Sequence, residues 1–178
     1  MTVDQTYLNQ YFGNVWHKNS DPCRKDTKSG LQLVDKIGNY ETVIDVGCGT
    51  NPFKRVIPNL VGIDPAFDQA DVKCTIDEFT TDQKFDVALC LGSINFGDVL
   101  DIERQIQKVV DLLEPHGRIY WRCNPGQKDH PDPGCEQINF YPWSIEEHVR
   151  LSTKFGFRLM ECCWEQEGRR IYAEWHRQ

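Results

Sequence analysis

The apolar positions of the chain fall into two rhythms. Short β-branched runs recur at Val43-Ile44-Asp45-Val46, Leu60-Val61-Gly62-Ile63, Asp71-Val72-Lys73-Cys74-Thr75-Ile76, Lys84-Phe85-Asp86-Val87-Ala88-Leu89-Cys90-Leu91 and Gly117-Arg118-Ile119-Tyr120-Trp121-Arg122-Cys123. Compact apolar runs of this length suit strands covered on both faces. Between them the spacing widens to a helical one. A helix is predicted over residues 4–11, with Leu8, Tyr11 and Phe12 on one face, and another over 27–37, with Leu31, Val34 and Ile37 facing the core and Gly38-Asn39 as its stop. A very short helix over 52–56 is cut by Pro58-Asn59. The strongest helical pattern covers 98–113, with Leu100, Ile106, Val109, Val110 and Leu113 inward and a break at Pro115-His116-Gly117. A last helix opens at Ser144, with Glu147 placed for a capping box, and closes at Lys154-Phe155-Gly156. Residues 157–164 and 170–175 alternate around Gln166-Glu167-Gly168-Arg169, the pattern of an antiparallel hairpin. Strands alternating with helices predict an α/β domain around a mainly parallel sheet.

The first strand runs into Gly47-Cys48-Gly49-Thr50-Asn51-Pro52. Two glycines one residue apart let the backbone turn sharply and approach a ligand with no Cβ in the way. Asp64 closes the next strand, where nucleoside-binding folds hydrogen-bond a ribose. Asp45 stands two residues before the first glycine. An anion there repels a pyrophosphate and suits the cationic α-amino end of a methionine moiety. In an open parallel sheet the ligand lies beyond the carboxyl ends of the strands where the winding reverses, which places Gly92-Ser93-Ile94-Asn95 beside it. Ser93 and Asn95 are the polar candidates for touching a second substrate; closing the turn through local backbone hydrogen bonds is the competing role.

The pattern Asp45-Val46-Gly47-Cys48-Gly49-Thr50, followed by Asp64, resembles the first motifs of the class I S-adenosylmethionine-dependent methyltransferases. Lys84-Phe85-Asp86-Val87 resembles the opening of their fourth motif, and the terminal hairpin resembles the antiparallel end of their sheet. The resemblance implies a Rossmann-like, doubly wound, seven-stranded sheet, mostly parallel with an antiparallel C-terminal strand. It implies a single globular protein in which residues 1–40 form a helical lid or cap and 41–178 the catalytic domain. Packing against the flank of the sheet is the other reading of the aromatic N-terminal segment. The implied activity is methyl transfer from S-adenosylmethionine to an O or N nucleophile of a small molecule, leaving S-adenosylhomocysteine. The cofactor-binding positions so implied are Asp45, Gly47, Cys48, Gly49, Asp64, Pro65, Ile76, Asp77, Leu91, Gly92 and Ser93. Asp77 is the match for an acid that accepts from the adenine amino group, with capping of its own turn as the alternative. The chain departs from the family at Asn51, which replaces the usual third small residue, and at Pro52, which stands where proline is tolerated at a helix start. An NAD-dependent oxidoreductase, disfavoured by Asp45 and by the hairpin, and a non-catalytic cofactor-binding protein are the competing functions.

Residues 124–143 form a long loop with four prolines, leaving the fifth strand on the cleft side, and are the candidate acceptor-binding segment. His130 within it is a candidate general base and Asn95 a second candidate catalytic residue; an exposed loop histidine is the plainer reading of His130. Phe140, Tyr141 and Trp143 could line a pocket, fill the core or cover a partner.

The remaining numbers narrow the choice. With 178 residues and 39% hydrophobic composition, one domain with a real core is expected. A net charge of −7 argues against a partner held through nucleic-acid phosphates. No apolar run approaches the roughly 20 residues that span a bilayer, and the N-terminus lacks a signal-peptide pattern, so a cytoplasmic protein, monomer or homodimer, is expected. The eight cysteines include no Cys-x-x-Cys pair. They are expected to be buried free thiols and no metal site is predicted, with Cys135, Cys162 or Cys163 beside a histidine as the alternative.

Overall fold

The computed structural model describes residues 4–15, 27–126 and 134–178. Its centre is a six-stranded sheet: β1 (Val43–Val46), β2 (Leu60–Ile63), β3 (Phe85–Cys90), β4 (Leu113–Cys123), β5 (Phe157–Glu165) and β6 (Arg170–Arg177), in the order β2-β1-β3-β4-β6-β5. The first four are mutually parallel. β6 runs antiparallel to both β4 and β5.

The expected seventh strand, at 71–76, does not form. It contributes a single bridge, Ile63 to Val72. Side chains there satisfy the backbone that a strand would have used: Asp71 Oδ2 accepts from Gly62 N at 2.8 Å, and Glu78 Oε2 accepts from Thr75 N and Oγ1, each at 2.9 Å. Such local bonds compete directly with a sheet ladder.

Helices α2 (Val99–Leu112) and α3 (Ile145–Lys154) cover one face of the sheet. Ile44, Ala88, Ile119, Trp121, Ala173 and Trp175 pack there against Ile102, Ile106, Val109 and Leu151. On the other face Val43, Val87, Leu89, Tyr120 and Tyr172 meet Leu33, Phe53, Ile57 and Leu60. Asp98 sets the phase of α2: its Oδ1 accepts from Leu100 N and Asp101 N, while Asp101 Oδ2 accepts from Asp98 N, a complete capping box. That phase turns Leu100, expected inward, out to 71% exposure, and Ile102 takes the core position.

The helix expected over 27–37 is reduced to a 3₁₀ segment, Leu31–Lys36. Its tighter winding puts Leu33 at the centre of the core, while the expected Leu31, Val34 and Ile37 pack only partly buried at its margin. β4 begins at Leu113 rather than at 117, and a register shift between Phe85 and Val87 accommodates the Pro115 and His116 stretch. At the N-terminus α1 (Gln5–Gln10), capped by Asp4 at Tyr7 N, continues as a π-helical turn to Val15. Leu8 and Tyr11 pack on Cys135, Ile138 and Phe140, and Tyr7 donates to the Gly134 carbonyl at 2.8 Å.

Candidate functional site

The carboxyl ends of the parallel strands open into a cleft of about 420 Å³, within the range of small-molecule sites. Its floor is the glycine turn. Gly47 (φ +71°) and Gly49 (φ +56°) both adopt the left-handed region, and Gly47 N and Cys48 N share the Ile63 carbonyl at 2.8 and 3.0 Å. A Cβ at Gly47 would lie 2.3 Å from Ser93 Cβ, so only glycine lets the turn after β1 meet the turn after β3. Asn51 also has φ +56°, a conformation asparagine tolerates better than most residues. Its Nδ2 donates to the Gln69 carbonyl at 3.1 Å, which accounts for the unusual residue at this position.

Asp64 is held from two sides. Oδ2 accepts from Gly49 N at 3.0 Å, and Oδ1 accepts from Ala66 N and Phe67 N at 2.8 and 3.1 Å. The carboxylate is thereby fixed on the cleft wall, where Gly47, Gly49, Pro65, Ile76, Asp77, Leu91, Gly92 and Ser93 also lie. Asp77 is engaged by Arg104, whose Nη2 and Nε donate at 3.0 to 3.3 Å, and the same guanidinium reaches Asp101 Oδ1 at 2.8 Å. Ser93 Oγ is buried and has no hydrogen-bond partner among the described residues, so the turn-closing role is not the one it plays.

Asp45, Cys48 and Asn95 are placed otherwise. Asp45, 3% exposed, lies beneath the lining; burial, reinforced by the Asp64 carboxylate, pushes its pKa up to about 7. Cys48 contributes its backbone to the turn, and its thiol, raised by burial and by nearby Asp45 and Asp64, lies outside the lining. Asn95, 1% exposed, is not a lining residue: its Oδ1 accepts from Asn124 N at 3.0 Å and its carbonyl from Tyr141 N at 2.8 Å. It ties the loops after β3 and β4 together, which corrects its expected place at the reacting centre. His130 lies outside the described residues. Phe140, Tyr141 and Trp143 are buried packing residues, with Trp143 Nε1 donating to the Ile94 carbonyl at 2.9 Å.

The lining also contains residues that the sequence did not single out, Arg104, Arg122 and Arg170, together with Asn124, which opens the expected acceptor-binding segment, and Gln5, Leu8, Asn9 and Phe12 of the N-terminal segment. Arg122 had a signal, a charge inside the apolar run of β4 near its carboxyl end. Arg104 had none, because one arginine among the charges of a helix looks like any solvated face. Among the described residues no cluster of three or more His, Cys, Asp or Glu is arranged to hold a metal ion, and no helix is long and apolar enough to cross a membrane.

No protein-family model matches the sequence, and no curated protein matches it either. Solved structures do match in shape. The 1,6-didemethyltoxoflavin-N1-methyltransferase of Burkholderia thailandensis, solved with 1,6-didemethyltoxoflavin and S-adenosylhomocysteine, superposes with a TM-score of 0.75 at 14% identity over 97% of this chain and 88% of that one. Magnesium protoporphyrin IX methyltransferase of Synechocystis, solved with S-adenosylmethionine, gives 0.67 at 14% identity over 100% and 99% of the two chains. The N-methyltransferase NodS of Bradyrhizobium japonicum, in complex with S-adenosylhomocysteine, gives 0.65 at 17% over 98% and 99%. With β2-β1-β3-β4 parallel, β6 inserted antiparallel beside β4 and a glycine turn at the crossover, the chain has the fold of the S-adenosylmethionine-dependent methyltransferases.

Proposed function

We propose that this protein transfers the methyl group of S-adenosylmethionine to a nitrogen or oxygen of a small molecule. The observation that carries the proposal is the cradle between Gly47 and Ser93, where a Cβ would collide at 2.3 Å and a buried hydroxyl has no hydrogen-bond partner among the described residues. The residues present fit the cofactor. Asp64, oriented by Gly49, is the acceptor for the ribose hydroxyls; Asp77, held by Arg104, flanks the adenine; Ser93 Oγ and the glycine turn face the methionine part. Asp45 beneath the turn supplies an anion whose ionised form a cationic amino group favours. When bound, the cofactor supplies an electrophilic sulfonium methyl whose leaving group needs no proton.

The work left to the protein is alignment, which is worth up to ~7–11 kcal/mol in well-oriented systems. Leu91, Gly92 and Ser93 at the end of β3 set one side of the reacting centre, and Phe12, Leu8 and Asn9 close over it from the N-terminal segment, as a lid would. A base is required only if the acceptor carries a proton at working pH, and His130 is our candidate for it. The small-molecule ligand of the Burkholderia enzyme, with its similar shape, supports a small acceptor.

Isothermal titration with S-adenosylhomocysteine, with NADH as the control, tests the reading. We expect micromolar binding of the first, weakened at least tenfold in a folded Asp64→Ala variant, and none of the second. Absence of S-adenosylhomocysteine binding overturns it; binding of NADH alone replaces it with the oxidoreductase.

A further inference from the structure

The turn around Asp77 closes without its side chain. Glu78 Oε2 accepts from Thr75 N and Oγ1, each at 2.9 Å, and Glu78 N donates to Thr75 Oγ1 at 3.3 Å. Capping of its own turn, one of the two roles open to Asp77 in the sequence, is therefore carried by Thr75 and Glu78. Among the described residues the Asp77 carboxylate bonds only with Arg104, which reaches it from α2. Asp77 thus stands on the wall of the cleft with no local task, gripped by one arginine from another element, and its remaining lone pairs are open to a donor on a ligand.

The grip is anchored at both ends. Arg104 Nε lies 3.2 and 3.3 Å from the two Asp77 oxygens, and Nη2 lies 3.0 Å from Oδ2. On its other side Nη1 donates to Asp101 Oδ1 at 2.8 Å. Asp101 is 7% exposed, and its Oδ2 accepts from Asp98 N in the capping box. A chain of contacts therefore runs from the start of α2 through Asp101 and Arg104 to Asp77, and these last three all line the cleft. The Arg104 and Asp77 side chains are 52% and 36% exposed, and ion pairs in such settings add little stability. What a planar guanidinium does supply is direction: bound along one edge by Asp77 and from the other side by Asp101, it fixes the carboxylate's orientation as a lysine's point charge does not.

We infer that Arg104 is a positioning residue for the cofactor's base: by fixing Asp77 it makes the cleft select a purine that carries an exocyclic amino group over the same purine without one. A carboxylate accepts hydrogen bonds, so an oriented one gains from an amino N–H and nothing from a hydrogen on carbon in the same place. Polar groups set up for one donor discriminate strongly against a ligand that lacks it. The inference rests on the cofactor reading above, which puts adenine beside Asp77.

Isothermal titration compares S-adenosylhomocysteine with its analogue carrying purine in place of adenine, which differs only by a hydrogen where the amino group stands. The wild type is expected to prefer the amino compound by about tenfold or more, the scale of a hydrogen bond to a charged acceptor. Arg104→Met brings that ratio to within about threefold, chiefly by weakening S-adenosylhomocysteine, and Arg104→Lys keeps an intermediate ratio. Asp77→Ala removes the preference, and Arg104→Met added to Asp77→Ala changes the ratio no further, as expected of a residue that acts through another. Absence of a preference in the wild type overturns the inference. So does an Arg104→Met variant that keeps the wild-type ratio or weakens both ligands alike, since Arg104 then only supports the wall. An effect of Arg104→Met on the ratio that persists beside Asp77→Ala assigns the arginine a direct contact with the base and overturns the positioning role. Should Arg104→Met not fold, Arg104→Lys decides, an unchanged ratio being the overturning result. Binding of neither ligand removes the cofactor reading and this inference with it, whereas binding of both without preference removes the inference alone.

Discussion

Gly47 and Gly49 have the same backbone handedness and opposite surroundings. Both would force an alanine into the left-handed region, at a cost of about 1–2 kcal/mol. Beyond that Gly49 faces open space, whereas a Cβ on Gly47 meets Ser93 Cβ at 2.3 Å. Gly49→Ala is therefore expected to lower the stability read from urea unfolding by about 1–2 kcal/mol. Gly47→Ala is expected to cost several kcal/mol or to push the β1 and β3 turns apart, as overpacking does. Equal stabilities for the two variants would show that the turns are not in contact. The sequence showed these glycines and Asp64 plainly, because the reasons for them are local: a turn that needs positive φ, and a carboxylate at a strand end. Arg104, Arg122 and Arg170 were hidden because each joins the cleft from an element far away in the chain. Nothing in their neighbours along the sequence records that meeting, apart from the charge buried in β4.

Among the elements, α2 shows how capping overrides apolar count. Leu100 is as hydrophobic as Ile102, yet the bonds that Asp98 accepts from Leu100 N and Asp101 N fix the first turn so that only Ile102 faces the sheet. Leu100→Ala should change stability by no more than about 0.5 kcal/mol, as surface substitutions do. Ile102→Ala should cost about 2–5 kcal/mol for the cavity left under β3 and β4. Matching losses in thermal or urea unfolding would mean that the helix is rotated from this phase, since the two positions lie roughly half a turn apart. The same competition between side-chain bonds and pattern explains which elements the sequence revealed. β1, β2, β3 and the β5–β6 hairpin follow apolar runs or alternation without a rival. The expected strand at 71–76 had a suitable pattern, but the Asp71 side chain takes up the Gly62 donor of the neighbouring β2 and Glu78 takes up the segment's own Thr75 donor. The helix expected at 27–37 had a suitable stripe, but only the 3₁₀ segment after Gly30 forms.

On the scale of the whole molecule, two buried ionisable groups on opposite sides of ordinary pH behaviour oppose one another. Burial and Asp64 raise the Asp45 pKa from 3.8 to about 7. Burial lowers that of His148 from 6.5 to about 3: its ring is enclosed by Trp121, Trp143 and Trp175, stacking on Trp143 at 4.6 Å, and neither nitrogen has a partner among the described residues. For Asp45, between pH 4 and 7 the folded state holds a proton that the unfolded chain has lost, so stability falls as pH rises. For His148, between pH 3 and 6.5 the unfolded chain holds a proton that the folded state refuses, so stability rises with pH. Over the shared window, about pH 4 to 6.5, the two slopes cancel, each amounting to about 1.4 kcal/mol per pH unit. Removing either group exposes the other. Between pH 4.5 and 6, Asp45→Asn should gain about 2 kcal/mol relative to wild type and His148→Phe should lose about as much, measured by urea unfolding at each pH. Profiles that stay parallel to wild type would mean that neither group is held away from its ordinary protonation in the fold. Opposite tilts would show that the carboxylate under the glycine turn is kept half-neutral near pH 7. In that state a cationic ligand can still change its charge.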